Sequence, residues 1–234
     1  IVFYADSPLV NFETVLDWKS PHRLLKTVFA TRLRSDYSRE EIQFGHIKRP
    51  TSRNTPYEQA KFEVSCHKYA DISEPDYGIS ILNNAKYGIS IDGGTMALTL
   101  AKGGMRPDPR GDAGRYAFSY AFLPHRGGFS AETVIQPAYC YNYRPLFSRS
   151  RLPEFPLFEV SAENVITEAV KPCEDAKRAF VVRLYEAEGA YTPLRLRLAE
   201  GIGKAELCGM DERRIETLRE EEGSGSLALC FEPF

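Results

Sequence analysis

The sequence lacks most of the features that make a function readable at once. It has no apolar run longer than a few residues, so it offers no membrane-spanning helix. Its opening residues, 1–12, lack a basic n-region and a continuous apolar h-region, and do not read as a signal peptide. Neither sign of charge is in excess. Thirty Lys and Arg face 32 Asp and Glu, net −2, so no global field points to nucleic acid or to anionic lipid. The five cysteines, Cys66, Cys140, Cys173, Cys208 and Cys230, are odd in number and far apart. Without a CxxC or CxxCH spacing, no zinc ribbon or haem site is readable, and reduced, mostly buried thiols of a cytoplasmic protein are expected. The histidines, His22, His46, His67 and His125, show no HExxH or HxH spacing, so a metal site would need distant residues. GxSxG, the P-loop and GxGxxG are all missing.

What is present is a chain of 234 residues, 43% hydrophobic and 12% aromatic. That excludes disorder, collagen and coiled coil, and leaves one large domain or two smaller ones with a real core. The pattern is mostly β. Short alternating runs fill residues 1–18, and 24–34 are rich in branched and aromatic side chains. Residues 41–47 and 61–67 alternate with period 2. The runs 87–91 and 95–100 flank Asp92-Gly93-Gly94, which predicts a tight hairpin, because glycine supplies positive φ without steric cost. Residues 115–124 read as a further strand. One helix is predicted over 131–143, with Ser130 as cap and Glu132 and Thr133 in its first turn. Pro137 should kink it or delay its start.

The character changes at 144–156, where Pro145, Pro153 and Pro156 read as a crossing linker. Residues 1–150 carry 19 basic and 15 acidic side chains, and residues 151–234 carry 11 and 17. A change of sign from +4 to −6 at a proline-rich stretch supports a domain boundary, giving domains 1–150 and 151–234. Beyond it, strands are predicted at 157–160, 164–170, 179–187, 194–199, 205–210 and 227–231, with a polar segment over 211–226 ending in a flexible loop. Both ends read as cut. Ile1 starts inside a strand pattern without Met, and Phe234 follows a strand directly, whereas natural termini are usually polar. The expectation is a segment of a longer polypeptide.

Two segments are dense in polar groups. Residues 46–55 hold Arg49, Arg53 and Asn54 beside His46, Lys48, Thr51, Ser52 and Thr55. Such fixed donors suit an anion or sugar hydroxyls, and equally a long loop tied down by its own hydrogen bonds. Residues 106–115 hold Arg106, Asp108, Arg110 and Asp112. Two carboxylates could mean a glycosidase pair. Flanked by arginines in a Pro/Gly loop, they suit ion pairing better than general-acid work, and a ligand rim or a solvated loop remains open. His67 to Asp71 is predicted to close a strand, with a lone His beside a carboxylate. The aromatic cluster Tyr139-Cys140-Tyr141-Asn142-Tyr143 suits helix packing or sugar stacking.

Four long runs, 41–55, 60–88, 98–125 and 171–189, carry the patterns RPT-x-RNT, ADxSE-x-DYG and PDPxxDxG in order. In these the chain resembles the C-terminal β region of glycoside hydrolase family 38 α-mannosidases, of the cytosolic and bacterial subgroup. The family often has Trp where Tyr69 stands, a change that keeps an aromatic surface. The resemblance implies a large galactose-mutarotase-like β-sandwich (a supersandwich) with one helix, followed by a smaller β-sandwich whose last strand is cut short here. It further implies an exo-acting, retaining α-mannosidase whose zinc and catalytic aspartates belong to an N-terminal part outside this chain. No catalytic residue, metal ligand or cofactor is therefore expected among these residues.

The expected role is that of an accessory region acting on oligosaccharides through the parent enzyme. It would frame the cleft with Arg49, Arg53, Asn54, Arg106, Asp108, Arg110 and Asp112, and contribute to a homo-oligomer. An independent carbohydrate-binding module and an aldose epimerase are the alternatives. The epimerase would need a His acid opposed by a Glu base. Cytoplasmic location, with no nucleic-acid or membrane partner, completes the expectation.

Overall fold

The computed structural model describes residues 1–143, 145–147, 149, 156–220 and 225–234. The chain divides into two compact units, Ile1–Arg144 and Pro145–Phe234. The boundary expected at 150/151, like Pro153, lies outside the described residues. No helix among the described residues is long and apolar enough to cross a membrane.

Unit 1 contains β1 (Val2–Tyr4), β2 (Ser7–Trp18), β3 (Leu24–Ala30), β4 (Tyr37–Ile42), β5 (Gly45–Pro50), β6 (Val64–Ser65), β7 (Tyr69–Ser73), β8 (Tyr77–Asn83), β9 (Gly88–Asp92), β10 (Thr95–Lys102) and β11 (Gly114–Arg126). They form a seven-stranded sheet, β1-β2-β11-β8-β7-β4-β5, and a four-stranded sheet, β3-β10-β9-β6. Every pairing is antiparallel. Alternation sets the faces. On β2, Phe12 and Leu16 turn inward while Glu13, Val15 and Asp17 are exposed. The core between the sheets is built on Ile72, Ile81, Ile89, Met96 and Leu98. Phe12 stacks on Tyr120 at 5.0 Å and meets Phe29 edge-on at 5.7 Å. Burying each large aliphatic chain contributes about 1.5–3 kcal/mol.

The hairpin at Gly93-Gly94 forms as expected, with Asp92 opposite Thr95 and Gly93 at φ 55°. The run 41–47 is not one strand. It turns at Gln43-Phe44, with Phe44 at φ 58°, and joins β4 to β5 with Ile42 opposite Gly45. Its period-2 pattern runs straight through the turn, which hides it. The expectation for His67–Asp71 is also corrected, since Tyr69 opens β7 instead of closing a strand. β7 and β8 are buried along nearly their whole length, so no alternation marks them in the sequence.

The predicted helix packs on the other face of the large sheet, against β7, β8 and β11. Ser130 caps it: Ser130 Oγ accepts from the Thr133 N–H, and Thr133 Oγ1 accepts from the Ser130 N–H. The first turn, Ala131–Ile135, is π-helical, with the Gln136 N–H donating to the Ala131 carbonyl. Then α2 (Gln136–Asn142) begins, with Pro137 in its first turn. Proline lacks the N–H and crowds the carbonyl four residues back, and the wider turn absorbs that step. A short helix that the sequence analysis missed, α1 (Pro56–Ala60), follows the capping Thr55. The signal was present: T-P-Y-E at 55–58 is a capping box with proline at the start.

Unit 2 contains β12 (Phe158–Val160), β13 (Val165–Pro172), β14 (Phe180–Glu186), β15 (Thr192–Leu198), β16 (Ala205–Cys208), β17 (Arg214–Leu218) and β18 (Ser226–Phe231). Its sheets are β12-β15-β18, β13-β14 and β16-β17. Val165, Leu194, Leu196 and Leu227 form the core, with Phe158, Leu184, Leu218 and Phe231 packed around them. On β15, Thr192, Leu194 and Leu196 are buried while Pro193, Arg195 and Arg197 are exposed, the clean alternation of a half-buried strand. β17 falls inside the segment expected to be polar loop. It is exposed over most of its length, so no apolar face marks it.

Candidate functional site

The segment 46–55 is not a free loop. Its first half is β5, at the edge of the large sheet. Arg49 Nη1 donates to Glu40 Oε2 at 2.8 Å, and Ser38 Oγ donates to Glu40 Oε1 at 2.5 Å. Glu40 is fully buried, and that burial pushes its carboxyl up despite these partners. His46 meets the Phe129 ring edge-on at 4.8 Å, and the Arg39 guanidinium sits 4.8 Å from the same ring. Thr51 Oγ1 donates to the Ser35 carbonyl, and the Gly93 N–H donates to the Thr51 carbonyl. The Asn54 N–H donates to Glu58 Oε2, and Asn54 Nδ2 donates to Ser52 Oγ. Arg53 Nε lies 3.9 Å from Asp92 at the β9–β10 turn. The RPT-x-RNT pattern thus ties an edge strand, a turn and α1 together.

The segment 106–115 connects β10 to β11 and is tied mainly to itself. Asp108 Oδ1 accepts from the Arg110 N–H at 2.9 Å, and Arg110 Nε stands 3.7 Å away. Asp112 Oδ2 accepts from the Lys102 N–H at 2.7 Å. Arg106, Asp108, Arg110 and Asp112 are exposed. Arg53 belongs to the Thr95 end of β10 and this segment to the Lys102 end. Seven residue steps of strand separate those ends, about 23 Å. The structure does not bring the two sets together.

The residues it does bring together were missed. Asp71 on β7 and His125 on β11 are 54 positions apart, with Nε2 2.9 Å from Oδ2 and both side chains buried. Ser80 Oγ donates to Asp71 Oδ2 at 2.8 Å, and Ser73 Oγ donates to Oδ1. A Cβ at Gly78 would collide with the His125 ring and with Ser73 Oγ. Gly78 is therefore needed for the ring to reach the carboxylate. This accounts for Asp71, Ser73 and Gly78 of the ADxSE-x-DYG pattern, and Glu74 Oε1 accepts from the Arg34 N–H. Beside it, Glu41 accepts from both the Lys68 N–H and Lys68 Nζ. His67, the histidine nearer to Asp71 in sequence, packs on Tyr87 instead. An epimerase needs an accessible acid, and His125 is tied down in the interior.

Among the described residues no three His, Cys, Asp or Glu side chains converge to hold a metal ion. All five cysteines are free thiols. The expectation that they are mostly buried is corrected: Cys66 is buried, Cys173 and Cys208 are half-buried, and Cys140 and Cys230 are exposed. Only Cys66 faces the sandwich interior, where burial pushes its thiol up.

Known proteins decide what this arrangement belongs to. The glycosyl hydrolases family 38 C-terminal domain matches residues 1–110, and the family 38 C-terminal beta sandwich domain matches residues 164–234. The chain belongs to glycoside hydrolase family 38. It corresponds to the C-terminal region of that family, and the mainly β double-sandwich architecture agrees with it. Human alpha-mannosidase 2C1 is 38% identical over 244 residues, covering 100% of this chain and 23% of the human protein. The alpha-mannosidase of Saccharomyces cerevisiae is 36% identical over 217 residues, covering 83% of this chain and 20% of the yeast protein. The chain thus spans about a quarter or less of the length of the curated relatives it matches. An alpha-mannosidase structure from Enterococcus faecalis V583 superposes with a TM-score of 0.76 at 18% identity, over 97% of this chain and 28% of that one. At that identity the likeness speaks for the fold alone.

Proposed function

We propose that this family 38 chain is the C-terminal accessory region of a retaining exo-α-mannosidase that removes terminal α-mannosides from oligosaccharides. The observation that carries the reading is the match of the whole chain, at 38% identity, to a protein named alpha-mannosidase. In this reading hydrolysis belongs to a part of the polypeptide before Ile1, which also holds the zinc. The residues here supply no set of ligands for it among those described. Asp108 and Asp112 are exposed and already accept backbone hydrogen bonds, whereas a retaining pair must face one glycosidic bond.

The chain acts as frame and docking surface. Arg49 is committed to Glu40, so the Arg53–Asn54 end and the 106–112 segment, at opposite ends of β10, meet a broad neighbouring surface such as the catalytic domain. Arg106, Asp108, Arg110 and Asp112 are the exposed rim of that surface. Assembly as a homo-oligomer and a cytoplasmic location complete the proposal. Five free thiols without a disulfide support a reducing compartment.

The test is release of product from an aryl α-mannoside with added zinc, for this chain and for the longer polypeptide that contains it. The chain alone is expected to be inactive and the longer protein active. Turnover by the purified chain that disappears in Asp108→Asn or Asp112→Asn would overturn the assignment.

A further inference from the structure

Unit 1 carries a groove of about 980 Å³ on the outer face of the large sheet, between α2 and the β1–β2 edge. That volume is in the range of small-ligand sites. Its floor includes Asn11 and Glu13, two positions apart on the same face of β2 and hence about 7 Å apart. Ser119 of β11 stands opposite Glu13 in register. Tyr141 of α2 and Tyr4 of β1 supply aromatic walls.

Asn11 is the informative residue. It is only 5% exposed, and its Oδ1 is fixed by the Tyr141 hydroxyl at 2.8 Å. Its Nδ2 donates to no partner among the described residues, although the side chain lines the groove. That nitrogen is not one of the sealed, unpartnered side-chain atoms of the described residues, Trp18 Nε1 and His125 Nδ1, so it opens onto the groove, where water or a ligand can take its hydrogens. Glu13, on the same face, is exposed and forms no ion pair among the described residues. Fixed donor, free acceptor and two tyrosine rings therefore share one groove. Glu13 and Glu132 together disfavour an anion, and Arg126 at the rim disfavours a simple cation. Neutral ligands rich in hydroxyls, which donate and accept at neighbouring atoms and present apolar C–H faces, match this set.

We propose that the groove binds a neutral oligosaccharide, with Asn11 Nδ2 and Glu13 as its polar contacts and Tyr4 and Tyr141 as its apolar ones. The site does not depend on the α-mannosidase reading, which enters only through the choice of one probe. The 234-residue chain, isotopically labelled, is titrated with α-linked mannotriose, with maltotriose and with inorganic phosphate, and followed by NMR. Saturable shifts of the Asn11 side-chain amide and of Glu13 and Ser119 with a saccharide are expected. Tyr4→Ala and Glu13→Ala, both at exposed positions, should each weaken that binding at least fivefold with the circular dichroism unchanged. Val28→Ala, on the outer face of the other sheet, should leave it unchanged. Equal binding of maltotriose and mannotriose supports the groove while removing its preference for mannosides. No saturable shift with either saccharide, shifts with phosphate only, or affinities that neither Tyr4→Ala nor Glu13→Ala alters would overturn the proposal.

Discussion

The two units differ in what mainly satisfies their interior carboxylates. In unit 1, Glu40, Glu41 and Asp71 are buried and each meets a basic or imidazole side chain: Arg49 on β5, Lys68 in the bend before β7, and His125 on β11. In unit 2, Glu186 is 3% exposed and meets backbone. Its oxygens accept from the N–H groups of Glu188, Gly189 and Ala190, and from Asn164 Nδ2. In unit 1 Asp71 ties β7 to β11 across 54 residues, Glu40 ties the two strands of the β4–β5 hairpin, and Glu41 ties β4 to the bend before β7. Unit 2 uses its carboxylate to close a single turn between β14 and β15. A side-chain partner can be lost by one substitution of many kinds, whereas the backbone donors of a turn remain for every residue but proline.

That contrast gives its largest expected effect at Asp71. Asp71→Ala leaves His125, Ser73 and Ser80 without their acceptor in the interior, and breaking a buried pair in this way costs about 3–5 kcal/mol. Gly78→Ala should cost about 1–3 kcal/mol by forcing the His125 ring off the carboxylate. Urea unfolding of each variant measures both. A loss under about 1 kcal/mol for Asp71→Ala would erase the distinction between the units.

Glu186→Ala comes next. Three backbone donors would be left facing an apolar methyl, but the turn borders solvent at Glu188 and Gly189, so water can replace part of the loss. A cost of about 1.5–3 kcal/mol is expected. It should be confined to unit 2, visible as faster amide exchange at 188–190 while β7 and β8 keep their protection. Faster exchange throughout unit 1 would contradict the local role.

The same contrast explains what was legible in the sequence. The Gly93-Gly94 hairpin, the Ser130 cap and the alternation of β15 all declare themselves within ten residues, through turn chemistry and period. The capping box at Thr55 did so as well and was overlooked. The Asp71–His125 pair could not be read, because nothing local links a carboxylate to an imidazole 54 residues away. β7 and β8 escaped for a related reason: covered on both faces, they have no polar side to mark a strand. The Arg and Asp clusters at 46–55 and 106–115 were conspicuous, and the structure shows that Asn54, Asp108 and Asp112 within them also hold the neighbouring backbone in place, which their density alone did not reveal. The Asn11 groove gave no signal, since a lone Asn in a strand is unremarkable until its partners are known.

A smaller effect separates the units by pH. Lys171 Nζ and the Glu174 N–H hold the Glu212 carboxyl down at about 2. A depressed carboxyl contributes stability above its unfolded value, near 4.5, and that contribution is lost as pH falls toward 2. Glu40 has the opposite slope. Burial raises its carboxyl, so its contribution is present at low pH and declines as pH rises through the folded value. Melting curves between pH 2 and 5 should therefore show acid loss that Glu212→Gln flattens and Glu40→Gln does not. Equal flattening by both would mean that Arg49 holds the Glu40 carboxyl down, as Lys171 holds Glu212, and that burial does not win there.

The smallest effect is expected at Arg110, and its smallness is informative. The side chain is exposed and stands 3.7 Å from Asp108, which is also exposed, an ion pair that water and salt screen. Arg110→Ala should change the stability of this chain by no more than about 0.5 kcal/mol. The Asp108 carboxylate would still accept the backbone N–H of residue 110, so the loop keeps its shape. In the longer polypeptide the outcome should differ if the 106–112 segment docks there. A desolvated guanidinium that meets a neighbouring domain contributes about 1.5–3 kcal/mol in charge-assisted hydrogen bonds. Comparing the melting shift of Arg110→Ala in the 234-residue chain with that in the longer protein isolates the docking contribution. A larger shift in the longer protein assigns this end of β10 to the domain contact. The same near-zero shift in both leaves the loop solvated and transfers the contact to the Arg53 end.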